Sequence, residues 1–279
     1  MGWSDLGFCN EVTVYPGGAT YTTIQAGINA CPVDGTVSVS AGIYTEAVTI
    51  NKRIAIIGVG TPTIDPPSNG SAVTFDGNGA DNASISGFNL TGVTNGYGIL
   101  CQNNADPIIT GNIITNNSGY AVWVAASSYP TLHNNTYSGN HPDAIYMEGR
   151  TISRNVTWTG DGAPYVIGGD VIVNSGFTLN IQPNSDCILK FDSGKGLHVS
   201  GTLTAIGSST SKIVFTSIND DTYGGDTNGT ITPPAGGDWR SISFKSANAK
   251  NSVLDYCIVK YAGNGVNYDG FPLWQYHLC

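Results

Sequence analysis

A 23-residue repeat in the middle of the chain restricts its fold more than any other feature. Three consecutive units, 84–106, 107–129 and 130–152, align without a gap. Repeats of 20–50 residues are typical of solenoids, in which each unit buries its apolar face against its neighbours. The apolar positions alternate with a period of two, which indicates short strands rather than helix pairs. The sequence therefore predicts an all-β fold, a parallel β-helix with roughly 22–26 residues in each rung.

Composition excludes several classes of partner. The chain has 279 residues and a formal net charge of −9, and only 11% of its residues are charged. Nucleic acids and anionic membranes attract basic surfaces, so we expect neither a nucleic-acid partner nor membrane insertion. The chain also lacks an apolar run of the roughly 18–20 residues that a membrane span requires.

The repeats divide the chain without breaking it into domains, because a solenoid grows in one dimension. We expect a single solenoid over 1–279, with an N-terminal cap and the first rungs in 1–65. Regular 23-residue rungs follow in 66–158, and a second repeat style occupies 159–279. A loop at 218–237 is longer than the connection between two strands requires, and such loops are often functional.

Two motifs near the N-terminus carry a resemblance to a known family. Residues 23–30 read T-I-Q-A-x-I-N-A, an amphipathic helix, and residues 37–46 read V-x-V-x-x-G-x-Y-x-E. This order resembles the start of right-handed β-helix proteins of the pectin-lyase-like superfamily, and the repeats after residue 165 resemble those of secreted β-helix proteins of the carbohydrate-binding or sugar-hydrolase type. The resemblance implies a right-handed parallel β-helix with an N-terminal capping helix, located outside the cell or on its surface. It specifies architecture rather than chemistry.

The alternation places one column of large side chains on the outside of the regular rungs. Leu100, Trp123 and Tyr146 are each flanked by inward apolar residues and therefore point outward, with Gln102 and Glu148 beside them. One interpretation is a platform on which sugar rings of a polysaccharide stack, while Gln102 and Glu148 supply hydrogen bonds. The other is a surface that a long loop or a neighbouring molecule covers.

Asparagines recur once in each regular rung. Asn89, Asn112 and Asn135 have the same position in the three units. Amide side chains stacked along a bend can hydrogen-bond to one another and to the turn backbone. We therefore predict a buried asparagine ladder formed by these three residues.

Acidic residues concentrate in the long loop. Asp220, Asp221, Asp226 and Asn228 offer the oxygen ligands that calcium prefers, although the terminal bidentate glutamate of an EF-hand is missing. A calcium site and a solvated acidic insertion both remain open for this loop. The sequence indicates no organic cofactor.

Catalysis is not evident from motifs, and none of the superfamily's catalytic residues can be carried over. A glycosidase needs two carboxyl groups roughly 5–10 Å apart. The candidates are Glu148, Asp143 and Asp221, but five extended residues would separate Asp143 from Glu148 by about 16 Å.

Three functions are therefore open. The first is a secreted or cell-surface module that binds an extended polysaccharide or another glycan. The second is a polysaccharide lyase or glycoside hydrolase of the same superfamily, and the third is a structural segment of a larger surface or fibre protein. The C-terminal residues 271–279 come after the last strand pattern and show no amphipathic cap helix. Either this aromatic tail covers the open end of the solenoid, or the chain continues in a longer parent chain or a solenoid assembly.

Overall fold

The chain folds into a parallel β-solenoid of about 11 turns with one short helix near its N-terminus. The computed structural model describes residues 10–18, 20–67 and 69–268, together with the backbone of 277–278. The predicted fold class is confirmed. The C-terminal segment 271–279, for which we predicted an uncapped end, lies outside the described residues except for that backbone pair.

Most of the chain consists of short strands joined by tight bends. Helix α1 spans Ile24–Ala30, and short 3-10 helices span Asn78–Ala80 and Ala247–Asn251. The strands of the first part are β1 (Glu11–Val14), β2 (Thr36–Ser40), β3 (Ile43–Tyr44), β4 (Val48–Ile50), β5 (Ala55–Val59), β6 (Thr63–Ile64), β7 (Val73–Asp76), β8 (Ser84–Ser86), β9 (Asn89–Leu90), β10 (Ile99–Gln102), β11 (Ile108–Thr110), β12 (Ile113–Thr115), β13 (Val122–Val124), β14 (Thr131–His133), β15 (Thr136–Ser138) and β16 (Ile145–Met147). Those of the second part are β17 (Arg150–Ile152), β18 (Val156–Thr159), β19 (Tyr165–Ile167), β20 (Val171–Val173), β21 (Thr178–Gln182), β22 (Cys187–Phe191), β23 (Leu197–Val199), β24 (Thr202–Ile206), β25 (Ile213–Ser217), β26 (Ile242–Phe244), β27 (Val253–Val259), β28 (Val266–Tyr268) and β29 (His277–Leu278).

The strands stack into parallel sheets that run along the solenoid. In the first part, each coil contributes one strand to sheet 1 (β1, β2, β5, β8, β11, β14), one to sheet 2 (β3, β6, β9, β12, β15) and one to sheet 3 (β4, β7, β10, β13, β16). From β17 onward sheet 2 ends, and coils contribute to sheet 4 (β17, β20, β23, β26, β28), sheet 5 (β18, β21, β24) and the continuation of sheet 3 (β19, β22, β25). Strand β27 pairs with β24 and then with β25, and so joins sheets 5 and 3.

Inward side chains form continuous apolar columns. On sheet 3 a column of residues paired in register from β4 to β22 is fully or almost fully buried: Ile50, Phe75, Cys101, Val124, Met147, Ile167 and Phe191. Strand side chains alternate between the two faces of a sheet, so the residue next to a column member along the same strand must point outward. This alternation sets the orientation of the candidate site.

Helix α1 closes the N-terminal end. Thr23 caps it by accepting a hydrogen bond from the Ala26 amide at 3.2 Å, and the Glu46 carboxylate accepts from the Ile24 amide at 2.7 Å. Ile24 and Ile28 are buried against the first coil. The helix thus covers apolar surface that the terminal coil would otherwise expose.

The gap-free alignment of the first two repeat units is wrong in sheets 1 and 2, whereas the second and third units align as predicted. Ser84 pairs with Ile108 and Asn89 with Ile113, an offset of 24, whereas Ile99 pairs with Val122, an offset of 23. The first rung therefore has one more residue between β9 and β10 than the next rung has between β12 and β13. This difference shifts Asn89 away from the other two asparagines.

The buried asparagine ladder contains Asn112 and Asn135 but not Asn89. The Asn112 side chain donates to Asn135 Oδ1 at 3.1 Å and accepts from the Phe88 amide at 3.2 Å, so Phe88 occupies the position predicted for Asn89. The Asn135 side chain in turn donates to Asp161 Oδ2 at 2.8 Å. Asn89 is half-buried on β9, where its amide donates to a threonine hydroxyl.

A second ladder, not predicted from the sequence, lies at the next bend, between sheets 2 and 3. The buried Asn117 side chain donates to Asn140 Oδ1 at 2.8 Å, and Asn140 donates to Asp143 Oδ1 at 2.8 Å. The signal was present in the sequence, because Asn117 and Asn140 also differ by 23 residues. Both ladders end at an aspartate, which accepts the amide hydrogens of the last asparagine.

Candidate functional site

The outward column predicted from the repeats lies on sheet 3. Leu100 on β10 pairs with Trp123 on β13, and Trp123 pairs with Tyr146 on β16. All three side chains are half-buried, whereas their neighbours in the same strands are buried. The side-chain alternation of a strand accounts for this pattern, because the flanking residues fill the solenoid interior.

Two further tyrosines join this surface. The ring of Tyr97 stacks on Trp123 with centroids 4.6 Å apart, and Tyr146 stacks on Trp123 at 3.9 Å. We call Tyr97, Trp123 and Tyr146 the aromatic stack. Tyr120 lies beside it, 4.9 Å from the Tyr146 ring. Tyr97 and Tyr120 each precede a strand of sheet 3 by two residues. Their identical position in the repeat was the sequence feature that could have predicted that they lie beside the outward column.

The aromatic stack changes how a sugar could contact this surface. Trp123 is sandwiched between rings from the preceding and following rungs, at interplanar angles of 21° and 22°. Both faces of the indole are therefore covered, and its edge is what remains for solvent or a ligand. Instead of the flat platform predicted from the sequence, the surface presents a row of ring edges that runs along the solenoid axis.

Glu148 holds the central ring of the aromatic stack. Its carboxylate accepts from Trp123 Nε1 at 3.2 Å and from the Ala126 amide at 3.0 Å. Gln102, at the equivalent position two rungs earlier, is half-buried at the end of β10 and pairs with Asp76. The carboxylate of Glu148 is thus engaged in orienting Trp123, while Gln102 lies near the other end of the column.

The tyrosine hydroxyls remain protonated donors at neutral pH. Burial raises the pKa of Tyr120 to about 12, with smaller contributions from nearby negative charge. Burial also raises the pKa of Tyr97 and Tyr146, and the Glu148 carboxylate adds to the effect. Within the described part of the chain these three hydroxyls form no hydrogen bond to the protein, so their donor capacity is not used internally.

The long loop covers the next rungs of the same face. The outward positions that follow Tyr146 on sheet 3 are Val166, Lys190 and Thr216, and all three are fully buried. Lys190 Nζ donates to the Gly225 carbonyl, which fixes the loop over the sheet. Burial lowers the pKa of Lys190, although nearby aspartates, Asp221 foremost, oppose that shift. Sheet 3 thus has an open aromatic half and a loop-covered half.

A cavity of about 420 Å³ lies where the two halves meet. Tyr120, Asn140 and His141 form its solenoid side, and loop residues 226–229 form the opposite side. The cavity adjoins the aromatic stack through Tyr120. A polysaccharide bound along the ring edges would therefore reach a cavity large enough to hold one sugar unit.

The acidic residues of the loop occupy separate places. Asp220 is buried and accepts from Thr216 Oγ1 at 2.6 Å, whereas Asp226 is exposed and accepts from the Gly229 amide at 2.7 Å. Asn228 donates to Asn219, and Asp221 is exposed. Among the described residues, no group of three or more His, Cys, Asp and Glu side chains lies close enough to hold a metal ion. Calcium binding by this loop stays a prediction.

The catalytic candidates belong to different segments of the chain. Asp143 and Glu148 lie at the two ends of β16, and Asp221 lies in the long loop. Asp143 accepts from the Gly139 and Asn140 amides at 2.9 and 2.8 Å, so its carboxylate stabilises a bend. The roles of Asp143 and Glu148 in the structure are thus accounted for by hydrogen bonds that hold the backbone and Trp123.

The histidine and cysteine side chains that could bind a transition metal are scattered or buried. His133 contacts Asn184, His198 lies 3.6 Å from Asp170, and His141 lines the cavity. The cysteines with described side chains are all buried: Cys31, Cys101, Cys187 and Cys257. Burial raises the pKa of Cys187 to about 12, and the thiolate is the form that binds metals. These donors do not fit a transition-metal centre in the described part of the chain.

None of the helices that the structure describes is long and apolar enough to cross a membrane. A family model described as "Periplasmic copper-binding protein (NosD)" matches residues 25–173, which is more than half of the chain. No curated protein matches the chain. The matched region includes all of helix α1 except Ile24, both ladders and the whole aromatic stack.

Proposed function

The chain belongs to the NosD family, and we propose from that premise that it is a non-catalytic solenoid that binds an extended polysaccharide along sheet 3. The observation that carries the proposal is the aromatic stack, which extends over three successive rungs and leads to the loop-covered cavity. Adjacent rungs lie about 4.8 Å apart, so the ring edges follow the solenoid axis as a linear polymer would. The free tyrosine hydroxyls and Gln102 supply polar contacts.

The family description and the fold support a location outside the cytoplasm. The family has the pectin-lyase-like β-helix fold, in agreement with the resemblance noted for residues 23–46. Its description names the periplasm. We infer that this protein acts in the periplasm or at the cell surface, where extended polysaccharides are accessible.

Copper binding, which the family description names, is not part of this proposal. The described histidines lie at separate places, the described thiols are buried, and burial raises the pKa of Cys187 to about 12. The proposal therefore rests on the aromatic surface and not on a metal.

Replacement of Trp123 with alanine is expected to abolish the binding of those polysaccharides that attach to the aromatic stack. The change removes the central ring of the aromatic stack and the Nε1 donor to Glu148, so Tyr97 and Tyr146 lose the partner that aligns them. Binding would be measured by isothermal titration against a panel of soluble polysaccharides, and circular dichroism would verify that the solenoid is intact.

Thr74→Ala provides a matched control. Thr74 pairs with Leu100 on the same sheet and is outward and half-buried, but it is outside the aromatic stack. We expect this variant to bind as the native protein does. Undiminished binding by a folded Trp123→Ala protein would rule out the aromatic surface as the site.

We further propose that the long loop binds calcium through Asp226 and neighbouring oxygens. Calcium that binds only the native state would stabilise it by about 2.7 kcal/mol at a hundredfold excess over the dissociation constant. The melting temperature would be compared in millimolar calcium, in millimolar magnesium and in EDTA. Identical melting temperatures in calcium and EDTA would leave the loop as a solvated insertion.

A further inference from the structure

The outward face of sheet 5 contains a groove that is separate from the aromatic surface. Its floor is a row of residues from three adjacent strands, in which Thr157 on β18 pairs with Asn180 on β21, and Asn180 pairs with Thr204 on β24. The bends after β21 and β24, together with Asn155, also line the groove. The groove has a volume of about 880 Å³.

Among the described residues that line the groove, none has a charged or aromatic side chain. Thr, Asn, Gln and Ser supply nearly all of its polar groups, and the apolar side chains include Pro183 and Ile206 in or beside the bends after β21 and β24. A phosphate, a metal ion or an acidic polymer would find no charge to pair with here. A ligand that is mainly apolar would leave the polar floor without partners, which is unfavourable.

The floor groups are free to bind a ligand. Within the part of the chain that the structure describes, the side chains of Thr157, Asn180, Gln182 and Thr204 form no hydrogen bond to the protein. Elsewhere on this solenoid many amide side chains are engaged, as in the two asparagine ladders. Each floor hydroxyl or amide both donates and accepts, which matches the hydroxyl groups of a sugar.

We propose that this groove binds a neutral, linear glycan, with its chain along the solenoid axis. The floor presents one polar group per rung at a spacing of about 4.8 Å, so consecutive hydroxyl groups of an extended chain meet equivalent partners. Ile206 is exposed at the edge of the groove and is positioned to contact the apolar C–H surface of a sugar ring. The site is independent of the aromatic stack, which lies on sheet 3.

The test uses the full chain with cellohexaose and mannohexaose as neutral probes and trigalacturonate as an acidic one. The double variant Thr157→Val/Thr204→Val removes two floor hydroxyls while it keeps side-chain shape and strand propensity. We expect its affinity for a neutral hexasaccharide to fall at least tenfold. Thr136→Val, on the exposed face of β15 in sheet 2, is the matched control and should bind as the native protein does.

Several outcomes would overturn this proposal. They are a failure of both neutral hexasaccharides to bind the native protein, equal binding by the double variant, or equal affinity for trigalacturonate. Asn180→Trp provides a second variant, because a bulky ring would fill the groove and should block the same probe. Trp123→Ala should leave this binding intact, so failure of the groove and failure of the aromatic surface can be distinguished.

Discussion

Replacing Asn112 with alanine is expected to lower the free energy of unfolding by about 3 kcal/mol or more. The Asn112 side chain donates to the Ile85 carbonyl at 3.0 Å and to Asn135 Oδ1 at 3.1 Å, and it accepts from the Phe88 amide at 3.2 Å. All of these groups are buried, and each buried group left without a partner costs about 1–3 kcal/mol. Urea unfolding, followed by circular dichroism, would measure the change.

Asn89→Ala is the matched control for this prediction. Asn89 was predicted to belong to the same ladder, but it is half-buried and its side chain bonds only to the hydroxyls of Thr63 and Thr115, both at 3.3 Å. Water can replace those partners, so we expect a loss below about 1 kcal/mol. Equal losses for the two variants would contradict the assignment of the ladder.

Replacing Trp239 with alanine is expected to cost about 3–5 kcal/mol, the range for large aromatic residues in a core. Trp239 is fully buried where the long loop returns to the solenoid, and its ring stacks on Phe191 with centroids 4.4 Å apart. Its Nε1 donates to the Lys260 carbonyl at 2.8 Å. Chemical unfolding would measure the loss, and hydrogen exchange of loop amides would show whether the loop detaches from sheet 3.

Trp239→Phe separates the contribution of the ring from that of the hydrogen bond. A phenyl ring can still stack on Phe191, but the Lys260 carbonyl loses its donor, so we expect a smaller loss of about 1–3 kcal/mol. The prediction fails if Trp239→Ala unfolds at the same denaturant concentration as the native protein. In that case the stacked pair would not anchor the loop.

The repeat and its alternation were enough to predict the interior and the exterior of the regular rungs. Leu100, Trp123 and Tyr146 lie outward and in register, and Cys101 lies inward, because a strand turns successive side chains to opposite faces. This rule depends only on local backbone geometry. The inward or outward orientation of a side chain can therefore be predicted from the sequence wherever the strand pattern is clear.

The ladder was predicted only in part, because a constant period was assumed. One additional residue between β9 and β10 places Phe88 opposite Asn112 and moves Asn89 onto the strand. A bend can absorb an extra residue without any change in the apolar pattern of the flanking strands. The sequence alone therefore did not reveal where the register shifts.

The sequence by itself determined the solenoid, the outward column and the position of the long loop in the chain. Only the tertiary structure decided that Tyr97 covers Trp123, that the loop buries Lys190, and that Asn180 lies in a groove. Strand alternation acts between neighbouring residues, so it can be read along the chain. Contacts between rungs and the path of a loop depend on how coils stack, which brings together side chains more than 20 residues apart.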